Sequence, residues 1–366
     1  MHMIKSILGI ALLMGVPCAS LAGTTMTDRA DAVVVGEVSS GQQTGSHVSF
    51  MLRVDRALKG SIAPGTVVSV EWARAPVVST PLQHSGEYGV WFLQAASTGA
   101  WHLLPATHSN APIPLALACY PLPKGSVPSV ITTAASPHDL VALELAAGLG
   151  QFDRRGVQFY RAANGLLSIP ASPAVASVHR LLVKSADPQL QVVGLIGLVQ
   201  QGDAASLEQV PQFQEAMSAS ILSTQMVLAV QHVRDGAPRT VEALGRLVTG
   251  PTVGVGIQAA AAEALRTIHT RESLPFLVAM LDSPSLKIRH QGLAGLSMFV
   301  LNLPIQTPEM GPSMTWLTPQ GPAPYRTADT DRYSVAFGVE PEGRQAEYVT
   351  FWKGWWARMQ NQLSMK

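Results

Sequence analysis

Charge is scarce and balanced in this chain of 366 residues, and cysteine is almost missing. Asp, Glu, Lys and Arg together account for 13% of the residues, with 25 basic residues against 24 acidic ones. Proteins that bind nucleic acid normally gather a basic surplus on one surface, where it neutralises phosphates and releases counterions. The sequence has no such surplus, so it argues against nucleic acid as a partner.

Recognisable catalytic motifs are missing as well. The sequence has no His-Glu-x-x-His helix and no Gly-x-Ser-x-Gly elbow, and the glycines between 250 and 256 lack the lysine of a phosphate-binding loop. His84, His102 and His108 have no fixed metal-ligand spacing. We therefore predict no catalytic residue, no metal ligand and no cofactor. A hydrolase with an unrecognised site is kept as an alternative.

The first 22 residues have the layout of a cleavable secretory signal. Lys5 precedes an uncharged apolar run from Ile7 to Val16, and small residues lie just before Gly23. The run is about half as long as the roughly 20 residues that span a membrane. We predict cleavage near Ala22 and Gly23, a periplasmic or secreted mature protein, and no transmembrane segment after cleavage.

Removal of that segment leaves Cys119 as the one cysteine of the sequence. No intramolecular disulfide is then possible, although exported proteins meet an oxidising environment. Apolar residues and Tyr120 flank Cys119, so we expect a buried side chain. The alternative is a disulfide between two copies. Apolar surroundings also raise the pKa of a thiol, which disfavours a cysteine nucleophile.

The sequence predicts an all-β first part, because its apolar residues alternate with a period of two. Val48, Phe50, Leu52 and Val54 show this best, and turn-forming residues separate the further apolar runs. The predicted strands are Ala32 to Val38, the run around Val48 to Val54, Thr66 to Trp72, Glu87 to Leu93 and Ala100 to Leu104.

Several phrases of this part resemble the OB-type barrel of netrin-like and metalloprotease-inhibitor-like domains. They are Ala32 to Val38, Arg53 to Gly60, Pro64 to Thr66 and Gly86 to Leu93. In the inhibitor family a mature amino-terminal cysteine chelates the protease metal, but Gly23 takes that place here, so inhibition does not carry over. The barrel aromatics either fill the core or form a platform for a glycan or another polymer.

A helical repeat dominates the second part of the chain. The stretch Gly256 to Leu265 aligns without gaps on Lys287 to Leu296, and the anchoring residues of four such copies lie 35, 32 and 31 residues apart. A period in this range is typical of helical solenoids. The anchors are Leu198, Val233, Leu265 and Leu296.

The repeats are expected as helix pairs separated by proline-containing turns. This part resembles the HEAT repeat family in its short bacterial form, most clearly from Asp282 to Leu296. Small residues in these helices are expected to let helices of adjacent repeats approach closely. The predicted pairs are 173–184 with 188–200, 205–216 with 219–233, 239–249 with 255–269, and 272–281 with 286–300. The small residues are Gly194, Gly197, Ala261, Ala264, Gly292 and Gly295.

The complete prediction is an α+β multidomain chain: a small all-β barrel or sandwich followed by a solenoid of HEAT-like helix pairs. An aromatic helix at the end is expected to cover the last pair, or else to bind a membrane surface or a partner. The predicted segments are a signal peptide at 1–22, the β domain at 23–104, a proline-rich linker or extended strand at 105–137, the solenoid at 138–300, a loop at 301–346 and the helix at 347–366.

The architecture favours a non-enzymatic scaffold that binds a protein or peptide of unknown identity, in an unknown oligomeric state. The alternative binding function is an envelope glycan or polymer held by the β domain. Arg289 and His290 are read either as a solvated helix face or as partner contacts. The candidate partner-binding residues are Arg289, His290, Trp316, Tyr325, Tyr333 and Phe337.

Overall fold

The computed structural model describes residues 25–44, 47–73, 86–97, 99–104, 119–128, 136–218, 222–305, 317–336, 338 and 343–364. The predicted signal segment and its cleavage point lie outside these residues. The chain divides into two compact units, Met1–Gly194 and Leu195–Lys366. The expected order of a β-barrel followed by a helical region is confirmed.

Five strands of the described residues close into a barrel. The hydrogen-bonded order is β1-β2-β3-β5-β4, and β4 pairs again with β1 to complete the ring. Strands β3 and β5 run parallel, and the other neighbours in the ring are antiparallel. The strands are β1 Ala32–Thr44, β2 His47–Lys59, β3 Val67–Ala73, β4 Tyr88–Ala95 and β5 Trp101–Leu104.

The period-two pattern explains the filling of this barrel. Val48, Phe50, Leu52 and Val54 on β2 are buried in its core, whereas Met51 and Arg53 are exposed. Alternate side chains of a strand point to opposite faces, so one face fills the interior while the other meets solvent.

The barrel unit also contains a sixth strand, a one-turn helix and the first long helices. Strand β6, Tyr120–Pro121, pairs antiparallel with β4 and lies in the segment predicted as linker or extended strand. Helix α3 was missed by the sequence analysis. Its Gly165 lowers helix propensity, but a Cβ there would lie 2.9 Å from the Tyr120 ring, so packing selects glycine. The helices are α1 Met26–Arg29, α2 Pro137–Leu149, α3 Val157–Leu167, α4 Pro173–Val183 and α5 Pro188–Gln200.

A bidentate ion pair fixes α2 to the barrel. Arg56 on β2 donates from Nε and Nη2 to the two carboxylate oxygens of Glu144, at 2.6 and 2.7 Å. Its Nη2 also donates to the carbonyl oxygen of Ser126 at 3.0 Å. Glu144 is only 2% exposed, so the fork geometry satisfies a carboxylate that would otherwise be costly to bury.

The second unit continues with helices, and the division between the units falls within α5. The predicted helix at 205–216 is interrupted by a 3₁₀ turn at Val210–Phe213, where Pro211 cannot supply an N–H to an α-helix. The helices are α6 Ala204–Gln209, α7 Gln214–Ser218, α8 Leu222–Gln231, α9 Pro238–Thr249, α10 Val255–Ile268, α11 Leu274–Met280, α12 Leu286–Val300, α13 Ala328–Arg332 and α14 Gln345–Ser364.

Three of these helices form what we call the second-helix row: α8, α10 and α12. Helix α10 packs against α8 on one side and α12 on the other, while α9 and α11 pack against α10 and α12 respectively. Helix α14 packs on α11 and α12. No helix among the described residues is long and apolar enough to cross a membrane.

Two repeated glycines make their close contacts inside a helix pair. A Cβ on Gly194 would lie 2.5 Å from the carbonyl oxygen of His179 on α4, and one on Gly292 would lie 2.6 Å from that of Leu277 on α11. The sequence analysis assigned these glycines to contacts between adjacent pairs. Gly295 also approaches a neighbouring pair, with its Cβ position 3.2 Å from the Cα of Arg266.

Candidate functional site

Arg289, one of the predicted partner-binding residues, makes several contacts within the chain. Its Nη1 donates to the carbonyl oxygens of Ser283 and Pro284, at 2.7 and 3.1 Å, and its Nε donates to Oε1 of Gln345 at 2.8 Å. These bonds hold the turn before α12 and the start of α14. His290, beside it on α12, is half-buried.

Tyr325 and Tyr333 pack inside the second unit. The Tyr325 ring stacks on Phe299 of α12, with centroids 5.6 Å apart. Tyr333 stacks on Phe351 of α14 at 4.3 Å, and its carbonyl oxygen accepts a hydrogen bond from Trp352 Nε1. These contacts dock part of the predicted loop onto α12 and α14. The other two aromatic candidates, Trp316 and Phe337, lie outside the described residues.

Most of the barrel aromatics are core residues. The exception is Trp101, which is partly buried against the barrel core. A ring that is buried in the barrel core has no free face on which a sugar or a base can stack. His102 lies on β5, while His84 and His108 are outside the described residues. The buried rings are Trp72, Tyr88, Trp91 and Phe92.

Cys119 is buried, with 1% of its surface exposed. Burial raises the pKa of its thiol to about 11, with the Arg161 guanidinium as a smaller opposing influence. A thiol with that pKa is almost entirely protonated at neutral pH and is a poor nucleophile. Among the described residues, no group of three His, Cys, Asp or Glu side chains is placed to hold a metal ion.

A pair of arginines on the second-helix row forms the strongest candidate site. Arg234 follows the end of α8, and Arg266 lies in the last turn of α10. They are 32 residues apart, which is the spacing between the anchors Val233 and Leu265. The repeat therefore places both arginines at the same position of successive helix pairs. The apolar anchors were predicted from the sequence, but the arginine that follows Val233 and the one that follows Leu265 were not predicted as a site.

The described residues compensate the charges of the two guanidiniums only in part. Arg266 Nη2 lies 3.7 Å from Glu263 Oε1, which is an ion-pair distance but too long for a hydrogen bond. The Nε of Arg266 is buried and has no hydrogen-bond partner among the described residues. Arg234 uses Nη1 to hold the carbonyl oxygens of Gln231 and Val233, at 2.7 and 2.9 Å.

Burial is the main electrostatic influence on both arginines. It lowers the pKa of Arg234 and of Arg266, and Glu263 opposes that effect in each case. The charge of Arg266 lowers the pKa of Arg234 further. Both groups stay protonated, because an arginine pKa remains far above neutrality. The site thus combines two positive charges and one negative charge in a partly desolvated place.

The residues that follow Arg234 and Arg266 in sequence pack against the chain that leaves α12. Thr270, one turn beyond Arg266, has a buried hydroxyl oxygen without a partner among the described residues. A Cβ on Gly236 would lie 3.0 Å from the Thr270 methyl group and 3.5 Å from the Ile305 side chain. His269 Nε2 lies 2.6 Å from the carbonyl oxygen of Leu303. The chain leaving α12 therefore runs past the ends of α8 and α10.

No protein-family model, curated protein or solved structure matches this chain. In the absence of a match, the contacts, burial and charges of these residues are what indicates a function. Guanidiniums offer planar, charged donors, so the arrangement is suited to binding an anionic group.

Proposed function

We propose that this chain is an exported, non-enzymatic scaffold that binds a protein or peptide partner on a HEAT-like helical solenoid. The observation that carries the proposal is the second-helix row, in which α8, α10 and α12 pack side by side at the period of the sequence repeat. Arrays of this kind present extended surfaces to other macromolecules. Export rests on the signal-like layout of the first 22 residues.

Exposed apolar residues at equivalent positions of the row support a partner-binding surface. Val255 and Leu286 are the first residues of α10 and α12, lie 31 positions apart, and are 73% and 61% exposed. Single exposed apolar residues are ordinary on a protein surface, but here the repeat places them in the same position of adjacent helices.

The first part of the chain is proposed as an OB-type barrel with a supporting role. Its closed ring with parallel β3 and β5 favours that assignment. The glycan-binding alternative required an exposed aromatic platform. Burial of Trp72, Tyr88, Trp91 and Phe92 leaves Trp101 as the partly exposed residue of the five aromatics that suggested it, so we favour the supporting role.

The test is capture of a partner from the envelope of the source organism by the full chain and by matched variants. The double variant Val255→Glu with Leu286→Glu places charge on the row at the first position of two helices, where an acidic residue is favourable to the helix. The control is Val157→Glu, which makes the same change at the first residue of α3, where Val157 is 47% exposed.

We expect the double variant to lose about nine-tenths of a specifically captured protein, corresponding to roughly 1.4 kcal/mol. The Val157→Glu variant should capture it as the unmodified chain does. Equal capture by all three proteins would remove the row from the proposal, and a specific enzymatic turnover of an envelope polymer would replace the scaffold function.

A further inference from the structure

We propose that Arg234 and Arg266 together bind a carboxylate of an acidic peptide segment, which makes the partner of the second-helix row an acidic chain. This inference rests on the proposed scaffold function and names the chemistry of its partner. The two arginines occupy the same repeat position at the carboxyl ends of neighbouring helices, so one extended segment crossing these ends meets both.

The net charge of the site is suited to a ligand group with one negative charge. Two guanidiniums and the Glu263 carboxylate leave one positive charge, and the 3.7 Å separation from Arg266 to Glu263 leaves the hydrogen-bonding donors of Arg266 unused by that carboxylate. An incoming carboxylate supplies the missing charge and accepts two parallel N–H bonds from a planar guanidinium.

A carboxylate fits this site better than a phosphate or a nucleic acid. A phosphate group carries close to two negative charges at neutral pH and would overcompensate the site. A nucleic acid requires a basic surface that neutralises several phosphates, whereas this chain has 25 basic and 24 acidic residues.

The third member of the row shows how a peptide occupies this position. Ser297 on α12 lies 31 residues after Arg266, and its Oγ accepts a hydrogen bond from the main-chain N–H of Val335 at 3.1 Å. The chain's own segment thus contacts α12 at the position that is equivalent to Arg266 in the repeat. Ala336, the following residue, packs with Met298, Leu301 and Leu303.

The surroundings of the arginines allow an apolar contact beside the charged one. Val227 on α8 and Ala259 on α10 are half-buried and lie at equivalent positions 32 residues apart. Each lies seven residues before its arginine, Val227 before Arg234 and Ala259 before Arg266. We therefore expect the bound segment to carry an apolar residue near its acidic one.

The test uses the full chain, immobilised, and a displayed library of random 12-residue peptides. The peptides retained are sequenced, and one is synthesised with its acidic residue and with Glu→Gln or Asp→Asn at that position. The protein variants are Arg234→Gln with Arg266→Gln, and Glu263→Gln. The control is Arg246→Gln on α9, an arginine that is 62% exposed in a pair with Glu242.

We expect retained peptides enriched in Asp and Glu, and about tenfold weaker binding of the selected peptide by the double arginine variant. Arg246→Gln should leave binding unchanged. Glu263→Gln removes the competing carboxylate and should strengthen binding by about two- to fivefold. That gain is a result that misfolding cannot produce.

The outcomes separate the two proposals. Peptides that bind without an acidic residue, and equally well to the double arginine variant, overturn the carboxylate site while leaving the scaffold function in place. Failure to enrich any peptide counts against both. Displacement of the selected peptide by inorganic phosphate as readily as by its own unlabelled form would assign the arginines to phosphate and overturn the inference.

Discussion

The barrel core and the second-helix row differ in whether their buried polar groups have hydrogen-bond partners. In the barrel the ring of strands closes on itself, and the indole N–H of the fully buried Trp91 donates to the carbonyl oxygen of Gly36 at 3.0 Å. In the row, Arg266 Nε and the Thr270 hydroxyl are buried without partners among the described residues. A closed sheet has no unpaired edge strand, whereas a helical repeat places an equivalent residue on each successive helix pair. The row therefore keeps a buried donor on a charged side chain that no described residue satisfies.

The largest loss of stability is expected from removing the side chain of Trp91, which is fully buried in the barrel core. Trp91→Ala leaves a cavity beside Phe50, whose ring centroid is 5.4 Å from that of Trp91. We expect a loss of about 3–5 kcal/mol in unfolding free energy. Hydrogen exchange should show reduced protection in strands β1, β2 and β4. Unchanged protection there would mean that Trp91 does not hold the barrel together.

A pH-dependent effect is expected at His179, on α4 of the barrel unit. The side chain is 1% exposed, and burial lowers its pKa to about 4 from an ordinary value near 6.5. As the pH falls, this histidine is protonated in the unfolded chain before it is protonated in the folded one. The free energy of unfolding is therefore unaffected above about pH 6.5 and falls by about 3 kcal/mol as the pH reaches about 4.

Urea unfolding of the unmodified chain and of His179→Leu at pH 7 and pH 4 measures this effect. The difference between the two proteins should change by that amount, because the other titrating groups are common to both proteins and their contributions cancel. An identical pH dependence in both proteins would contradict the assignment to His179.

A smaller effect is expected at the glycines that let paired helices touch. Gly194→Ala and Gly292→Ala each force a Cβ against a backbone carbonyl, so we expect a loss of about 1–3 kcal/mol for each. Gly256→Ala is the matched control on α10. Its Cβ would meet only the Val227 side chain at 3.3 Å, and alanine favours the helix.

Thermal unfolding of the three glycine variants gives the comparison. Gly256→Ala should be neutral or stabilising, while the other two should melt at lower temperatures. Equal melting temperatures for all three would mean that the helices separate easily to accommodate a methyl group.

The smallest effect is expected for an exposed ion pair on α9. Arg246 and Glu242 are 62% and 56% exposed and lie one turn apart. A double-mutant cycle with alanine at both positions should give a coupling free energy of about 0.3–0.5 kcal/mol that decreases at high salt. A coupling that is insensitive to salt would point to packing rather than charge.

The sequence predicted much of the fold but little of the candidate site. The strands from Ala32 to Leu104 and the pairs around α9 to α12 followed from apolar periodicity. Helix α3 was missed, and the helix predicted at 205–216 is interrupted at Val210–Phe213, because packing and a proline override the local pattern. Arg234 and Arg266 were marked by the same period as Val233 and Leu265, but their pairing is a property of neighbouring helices.

The sequence by itself determined where apolar side chains recur, and hence the β-rich start, the helical remainder and the 31- and 32-residue repeat. Only the tertiary structure decided the closure of the barrel, the burial of its aromatic rings and the use of Arg289, Tyr325 and Tyr333 in internal contacts. It also placed two arginines with a single carboxylate in a partly desolvated site. Periodicity is a local property of a chain, whereas burial and charge compensation depend on which distant segments meet.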